Sequence, residues 1–548
     1  MMRGAKNLKS YRASLRAGGD AAASAGAGVG ASAGVGGALE ASSAATAAAT
    51  AATVTNAGGA SALTTTRERR FARTINSLSS PAAAVVVNDV HSQLNETRVG
   101  RVVAPGGVEE LQTIIRRARE AGGAVAVAGG RHAMGGQQFA ADGVLVDMRR
   151  MNRVLSFDPA RREIEVEAGI QWSQLVNYTV AAQRGRAPHL QAGIVQKQTG
   201  ADNLSLGGAL AANIHGRGLN LKPFVGDVES FVLVDADGAA RTCSRGENRE
   251  LFNLAAGGYG LFGGVASVRL RLARRRKLER VAEIIATRDL PAAFDARVAN
   301  GFLYGDFQFV TDEASPDFLR RGIFSCYRPV SDDAPVPESQ AELCAEDWRG
   351  LYHLAHVDRR RAFEVYAKHY LATSGQLYWS DTHQLSVYLD DYHRQLDRAL
   401  GARVRATEMI TEVYVPRAAL SDFLETVRRD FRRHAVELIY GTVRLIERDD
   451  ETFLAWAKDR YACVVFNLHV EHRAAGIAKA RADFRRLITR AVERGGSYYL
   501  TYHRWATRAQ VEACYPQLPD FLRRKRLHDP AETFQSDWYR HYREMFSA

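Results

Sequence analysis

The stretch Ala126-Val-Ala-Gly-Gly-Arg-His-Ala-Met-Gly-Gly-Gln137 sets one histidine, His132, in a glycine-rich turn directly after an apolar strand. Glycines 129, 130, 135 and 136 open backbone conformations barred to other residues and leave N–H groups free to approach a ligand. Neutral imidazole is a nucleophile near pH 7. A surface turn that happens to hold a histidine reads the same way, so the rest of the chain must decide.

Two further glycine-rich elements follow. The first, Gly200-Ala-Asp-Asn-Leu-Ser-Leu-Gly-Gly-Ala-Leu-Ala-Ala-Asn-Ile-His-Gly-Arg-Gly218, has small residues between Gly208 and Asn213, against which a bulky planar ligand could pack. Ser205 and Asn213 offer hydrogen bonds there. The second, Gly257-Gly-Tyr-Gly-Leu-Phe-Gly-Gly-Val265, leads into the alternating strand Ala266 to Leu272. Three such elements, each beside a strand or helix signal, suit one extended cofactor better than three unrelated loops. They do not spell the Gly-x-Gly-x-x-Gly of a Rossmann turn or the Gly-x-x-x-x-Gly-Lys-Ser/Thr of a P-loop, which disfavours nicotinamide and nucleoside-triphosphate enzymes.

Groups able to move a proton gather near the end of the chain. Tyr498-Tyr-Leu-Thr-Tyr-His-Arg504 is dense in them, and Tyr502 and His503 are the candidates for binding a substrate hydroxyl or taking its proton. Arg444 alternates with Val443 and Leu445, and His469 with Leu468 and Val470. Each faces either a cavity or an exposed strand surface.

The elements that must position these residues mix helices and strands. Val108, Leu111, Ile115 and Ala118 mark an amphipathic helix closed by Gly122-Gly123, and Val144 to Met148 and Glu163 to Ala168 read as strands. Ile170 to Arg184 reads as a helix, and Phe231 to Gly238 as a strand ending in an Asp-Gly hairpin turn. Ala21 to Thr66 is nearly all Ala, Gly, Ser, Thr and Val, without aromatics or periodicity. Such a composition cannot offset the entropy of ordering, so residues 1–80 are expected to be a disordered tail. Its first residues carry Arg3, Lys6, Lys9, Arg12 and Arg16 with no acid before Asp20, which suits an organelle transit peptide or a plain flexible extension.

Five separated cysteines without a Cys-x-x-Cys pair argue against a metal cluster or disulfide framework and for a reducing, cytoplasmic setting, organelle import being the alternative. No run reaches the length of a membrane-spanning helix, though peripheral membrane contact stays open. The net charge of +12 is spread over scattered basic runs with no nucleic-acid motif behind it.

In this order the elements resemble the vanillyl-alcohol oxidase and p-cresol methylhydroxylase (PCMH) type of FAD flavoprotein. The resemblance rests on Val103-Ala-Pro, the amphipathic helix, the Gly-Gly-Arg-His loop, Leu206-Gly-Gly-Ala-Leu and Gly260-Leu-Phe-Gly-Gly-Val-Ala-Ser. It implies an α+β protein: a two-subdomain FAD-binding unit over 82–275, a substrate or cap domain over 276–490, and a C-terminal segment over 491–548 that returns to the first unit. It implies FAD contacts from Ala128, Gly129, Gly130, Arg131, His132, Ala133, Gly135, Gln137, Asp202, Ser205, Gly207, Gly208, Asn213, Gly264 and Val265. The loop is similar to the Gly-Arg-Gly-His-Ser of the covalent branch, where the histidine is bonded to the flavin 8α-methyl. Here Arg and Gly are permuted and Ala133 replaces Ser.

The resemblance extends to the cytokinin dehydrogenase, sugar or polyol oxidase and decaprenyl-phosphoryl-ribose oxidase branches. They imply hydride transfer from a hydroxyl-bearing carbon of a sugar, polyol or lipid-linked sugar to flavin N5, with oxygen or a separate electron acceptor completing the cycle. Arg444 resembles the arginine that lies over the flavin in aldonolactone and alditol oxidases, with Thr442 in place of a Glu, and would steady charge on the reduced ring or bind a substrate hydroxyl. The alternatives are a C=C reductase of sterol-reductase type and an FAD-binding protein without turnover.

Overall fold

The computed structural model describes residues 84–547, except 338, 388 and 390. The tail expected over residues 1–80 lies outside the described residues. Val85–Val87 (β1) pairs with Thr97–Val99 (β2). Arg101–Val103 (β3), Val125–Ala128 (β4) and Val144–Asp147 (β5) form a parallel sheet in the order β3-β5-β4, and Val108–Glu120 (α1) crosses between the first two strands. Its apolar stripe behaves as the spacing predicts: Leu111, Ile114, Ile115 and Ala118 are buried. They meet Val103, Val125 and Val146 of this sheet on one side, and Val234 and Ala266 of the next sheet on the other.

That next sheet is antiparallel. It is built from Val154–Asp158 (β6), Glu163–Glu167 (β7), Val228–Val234 (β9), Ala240–Ser244 (β10) and Gly264–Arg271 (β11), in the order β10-β9-β11-β7-β6. Trp172–Ala182 (α2), Leu206–Ala212 (α3) and Arg249–Ala255 (α4) belong to the same stretch of chain, as does the short strand Ala192–Gly193 (β8), which pairs with Ala273–Arg274 (β12).

The remaining strands form one eight-stranded antiparallel sheet. They are Lys277–Ala286 (β13), Tyr304–Phe309 (β14), Arg321–Pro329 (β15), Leu377–Trp379 (β16), Ala406–Pro416 (β17), Leu438–Ile446 (β18), Tyr461–Glu471 (β19) and Ser497–Tyr498 (β20), in the order β16-β13-β15-β14-β18-β19-β17-β20. Successive side chains point to opposite faces, and here the two faces differ in chemistry although both are buried. Phe307, Phe309, Phe324, Val413, Val443, Phe466 and Leu468 share one face through the strand registers. Helices Leu290–Ala299 (α5), Leu420–Arg433 (α9) and Ala474–Val492 (α10) cover it, with Phe294 edge-on to Phe324 and Phe431 edge-on to Phe466. Leu420, Phe423, Leu424, Val427 and Phe431 make the covering stripe of α9, each worth about 1.5–3 kcal/mol on burial. The opposite face carries Asp306, Ser325, Glu408, Glu412, Thr442, Arg444, Asn467 and His469. Ala345–Val357 (α6), Arg359–Ala372 (α7) and Tyr392–Ala399 (α8) supply residues on that side.

Helices Arg508–Cys514 (α11), Leu518–His528 (α12) and Asp537–Ser547 (α13) end the described chain. Between α12 and α13 the backbone runs beside β4: Val125 N donates to the Thr533 carbonyl at 2.7 Å and Gln535 N to the Val125 carbonyl at 2.9 Å. Buried Asp529 shapes this turn by accepting from Thr533 N and Phe534 N while pairing with buried Lys525 at 2.6 Å.

Candidate functional site

Beyond Ala128 the β4 chain turns into the His132 loop, where Arg131 takes a left-handed φ of 58°. Among the described residues the N–H groups of Gly129, Gly130, Arg131 and Ala133 have no backbone partner, an arrangement that suits an anion. Facing the loop is the start of α3, where Ser205 Oγ caps Gly208 N at 3.3 Å. The two approach too closely for side chains: a Cβ on Gly129 would stand 1.8 Å from Ser205 Oγ, and one on Gly130 would stand 2.3 Å from the Asn203 carbonyl oxygen.

A cleft of about 1200 Å³, its open mouth included, runs along these elements. Ala128, Gly129, Gly130, Arg131, His132, Ala133, Gln137, Ser205, Gly207, Gly208 and Val265 all line it. Tyr502 lines it too, beside Tyr499 and Ile410 from distant parts of the chain.

Other expected residues lie elsewhere. Asn213 is the left-handed cap of α3, and its side chain is spent on Asp449 and Val225 N. Asp202 pairs with buried Lys197 at 2.5 Å and accepts from Ser386 N. Gly264 faces Leu111 of α1, because the strand pleat sends its neighbours Gly263 and Val265 to the cleft instead. Gly135 donates its N–H to Gln137, whose carboxamide also reaches the Leu500 carbonyl, so the pair braces the loop. His503 is turned away from the cleft and stacks on Trp505 at 4.2 Å, and burial pushes its imidazole down to about 4. Arg444 does not touch the cleft either, and it does not project to solvent: it is buried on the polar face of the large sheet.

His132 is held neutral. Burial first, then the neighbouring His91 ring, pushes it well below the ordinary histidine range, and its Nδ1 stands 2.9 Å from His91 Nε2. Neutral imidazole is the nucleophilic form.

Sequence reading missed the group behind Tyr502. Buried Glu412 accepts from the Tyr502 hydroxyl at 3.1 Å and from Tyr414, and lies 2.7 Å from His215 Nε2. His215 Nδ1 faces the Gly216 carbonyl at 3.0 Å. Both ring nitrogens face acceptors, so either the ring carries two protons or the carboxyl carries one. Burial alone would raise the Glu412 carboxyl, but the charge and hydrogen bond of His215, the Tyr414 hydroxyl and the charge of Arg444 bring it down to about 2. Burial and the Glu412 charge raise the Tyr502 phenol well above its usual value, so it stays a donor. Asn213-Ile-His-Gly was the available signal for His215. Glu412, one acid among the alternating residues of β17, offered none.

Further along the same face, Ser325 Oγ, Thr442 Oγ1, Asn467 Oδ1 and Arg444 Nε and Nη1 are buried without a hydrogen-bond partner, as is the Tyr366 hydroxyl from α7. Each such orphan costs about 1–3 kcal/mol unless something fills it.

Residues 99–244 match the family model described as an FAD binding domain. The chain is 24% identical to decaprenylphosphoryl-beta-D-ribose oxidase of Mycolicibacterium smegmatis over 81% of its own length and 94% of that protein. It is 29% identical to L-gulonolactone oxidase of Bos taurus over 30% of its length and 36% of that protein. With an uncharacterized oxidoreductase from the fasciation locus of Rhodococcoides fascians it shares 33% identity, over 31% of its length and 37% of the relative. The matched domain and these relatives support a PCMH-type FAD oxidoreductase family for the chain. FAD is its cofactor. The cleft suits that ligand: unpaired loop N–H groups meet a negative charge, and Gly207, Gly208, Ala211 and Ala212 leave a wall without bulk for a flat ring. Among the described residues, no helix is long and apolar enough to cross a membrane.

Proposed function

We propose that the chain oxidises a hydroxyl-bearing carbon of a polyhydroxylated substrate, a sugar, polyol or lipid-linked sugar. The observation that carries this reading is the buried Glu412–His215–Tyr502 group at the cleft wall, continuous with the row of orphaned polar atoms on the large sheet. A ligand with many hydroxyls would satisfy those atoms, whereas an apolar ligand would leave their cost in place. Two relatives, by name a ribose-lipid oxidase and a gulonolactone oxidase, support the same substrate class.

When bound, FAD supplies the acceptor for two electrons and a hydrogen from the substrate carbon. The protein's share is the hydroxyl proton. Tyr502 takes it as it passes its own proton to Glu412, and the His215 contact holds that carboxylate in place. Arg444, on the same sheet face with its Nε and Nη1 unpartnered, lends its positive charge to keep the Glu412 carboxyl ionised. The loop N–H groups of 129–133 hold the cofactor's diphosphate, and His132 is the residue for covalent attachment of the flavin. In this reading residues 82–275 are the FAD-binding unit, 276–490 the substrate unit, and 491–548 the segment that returns to the first.

The test is an anaerobic screen of sugars, polyols and lipid-linked sugars, read as bleaching of the yellow colour, followed by admission of air. Bleaching by a hydroxylated substrate and recovery in air give an oxidase; bleaching with recovery only on adding a dye acceptor gives a dehydrogenase. Bleaching by a nicotinamide donor alone overturns the proposal in favour of a reductase, and bleaching by dithionite alone overturns it in favour of a protein without turnover.

A further inference from the structure

At one end of the polar face, outside the proton-handling group, three histidines converge on a single buried carboxylate. Glu408 lies on β17, four residues before Glu412 and two before Ile410, and is paired in register with His469 of β19. His356 comes from the last turn of α6 and His393 from the first turn of α8. His356 Nε2 stands 3.0 Å from Glu408 Oε1, His393 Nδ1 2.8 Å from Oε2, and His469 Nδ1 3.7 Å from Oε1. One donor atom each from His356, Glu408 and His469 lie within 4.8 Å of one another.

We propose that Glu408, His356 and His469 bind one divalent transition-metal ion, of the zinc class, with His393 held against the far oxygen of the same carboxylate. Two observations point to a cation. First, His356 Nδ1 stands 2.8 Å from the Tyr352 carbonyl, so that nitrogen carries the proton and Nε2 turns its lone pair toward a carboxylate oxygen. Unless the ring takes a second proton, two acceptors then face each other, and a positive centre between them makes the contact favourable. A backbone carbonyl fixing the far nitrogen is also the usual outer partner of a metal-bound histidine. Second, His469 Nδ1 is buried without a hydrogen-bond partner and stands 3.7 Å from Glu408 Oε1, a separation that leaves an ion room to sit between the two ligand atoms.

Protonating the rings is the competing arrangement. It would pack several positive imidazoliums around one carboxylate in a buried site, with the His356 and His469 rings 5.0 Å apart. A single divalent ion serves His356, Glu408 and His469 at once. Two imidazoles and one carboxylate without a thiolate select zinc, cobalt or nickel over magnesium or calcium. The Tyr392 hydroxyl, donating to Glu408 Oε2, completes the outer shell. Such an ion would clamp α6 to the sheet at the strand whose Ile410 lines the cleft. It would draw protons off the ligands as it binds, so affinity would fall with acidity.

The experiment uses the full-length, FAD-loaded protein, stripped with a chelator, dialysed with zinc chloride and then against metal-free buffer, with metal counted by mass spectrometry. One zinc per chain is expected in the wild type, with binding at least tenfold weaker in Glu408→Gln and His469→Ala and unchanged in Cys463→Ser. No retained zinc in the wild type overturns the proposal, as does equal retention in both ligand variants. If the variants fail to keep FAD, cobalt substitution of the wild type decides. A tetrahedral cobalt spectrum without thiolate charge-transfer supports the site; a thiolate band, which would place the ion at His215, Glu412 and Cys463, overturns it.

Discussion

Replacing Glu412 by Gln keeps the shape of the side chain and removes its charge. In the folded protein the carboxyl lies near 2, against an ordinary value of 4.5, and is fully buried. At about 1.4 kcal/mol per unit, that depression corresponds to on the order of 3 kcal/mol of folding stability. Because the folded value is the lower one, this stability is present in full above pH 4.5 and is lost as pH falls toward 2. Glu412→Gln should therefore unfold about 3 kcal/mol more easily at pH 7. The gap between variant and wild type should narrow below pH 4.5. Urea unfolding at a series of pH values, followed by tryptophan fluorescence, measures the gap. A gap that stays constant with pH, or a variant as stable as the wild type at pH 7, would refute the assignment of a paired, ionised carboxylate. With a substrate found by bleaching, the same variant should reduce its flavin about 10²–10⁴-fold more slowly if Glu412 receives the proton.

Acid precipitation of the wild type should leave a yellow pellet, and His132→Ala should move the colour to the supernatant; a colourless wild-type pellet would reduce His132 to a loop contact. Gly129→Ala puts a Cβ 1.8 Å from Ser205 Oγ, so it should force the loop off α3 and lower bound FAD per chain, read by absorbance. Gly441→Ala meets the Phe309 ring at 2.2 Å on the apolar face and should cost about 1–3 kcal/mol in urea unfolding. Lys525→Met strands buried Asp529 without its partner and should cost about 3–5 kcal/mol, with the turn beside β4 loosening first in hydrogen exchange.

The helix α1, the glycine loop, the Ser205 cap and the β9–β10 hairpin could all be read from neighbouring residues, because each is set by local periodicity, capping or turn chemistry. The cleft was visible in the same way, since its wall is made of consecutive small residues. Local sequence did not fix matters where one residue's direction counted. Gly264 and Val265 are adjacent, yet the pleat sends one to α1 and the other to the cleft. Tyr502 and His503 are adjacent too, and only Tyr502 reaches the ligand side.

By itself the sequence determined that the chain mixes helices and strands and carries a glycine-lined stretch with a histidine within it. Tertiary structure alone decided which polar groups stand beside that stretch. Glu412 meets His215 across 197 residues and Tyr502 across 90, and Glu408 gathers histidines from two helices and a neighbouring strand. The reason is physical. A buried acid on a strand reads like any other alternating residue, and its role depends on partners that sheet register and helix packing bring from far along the chain.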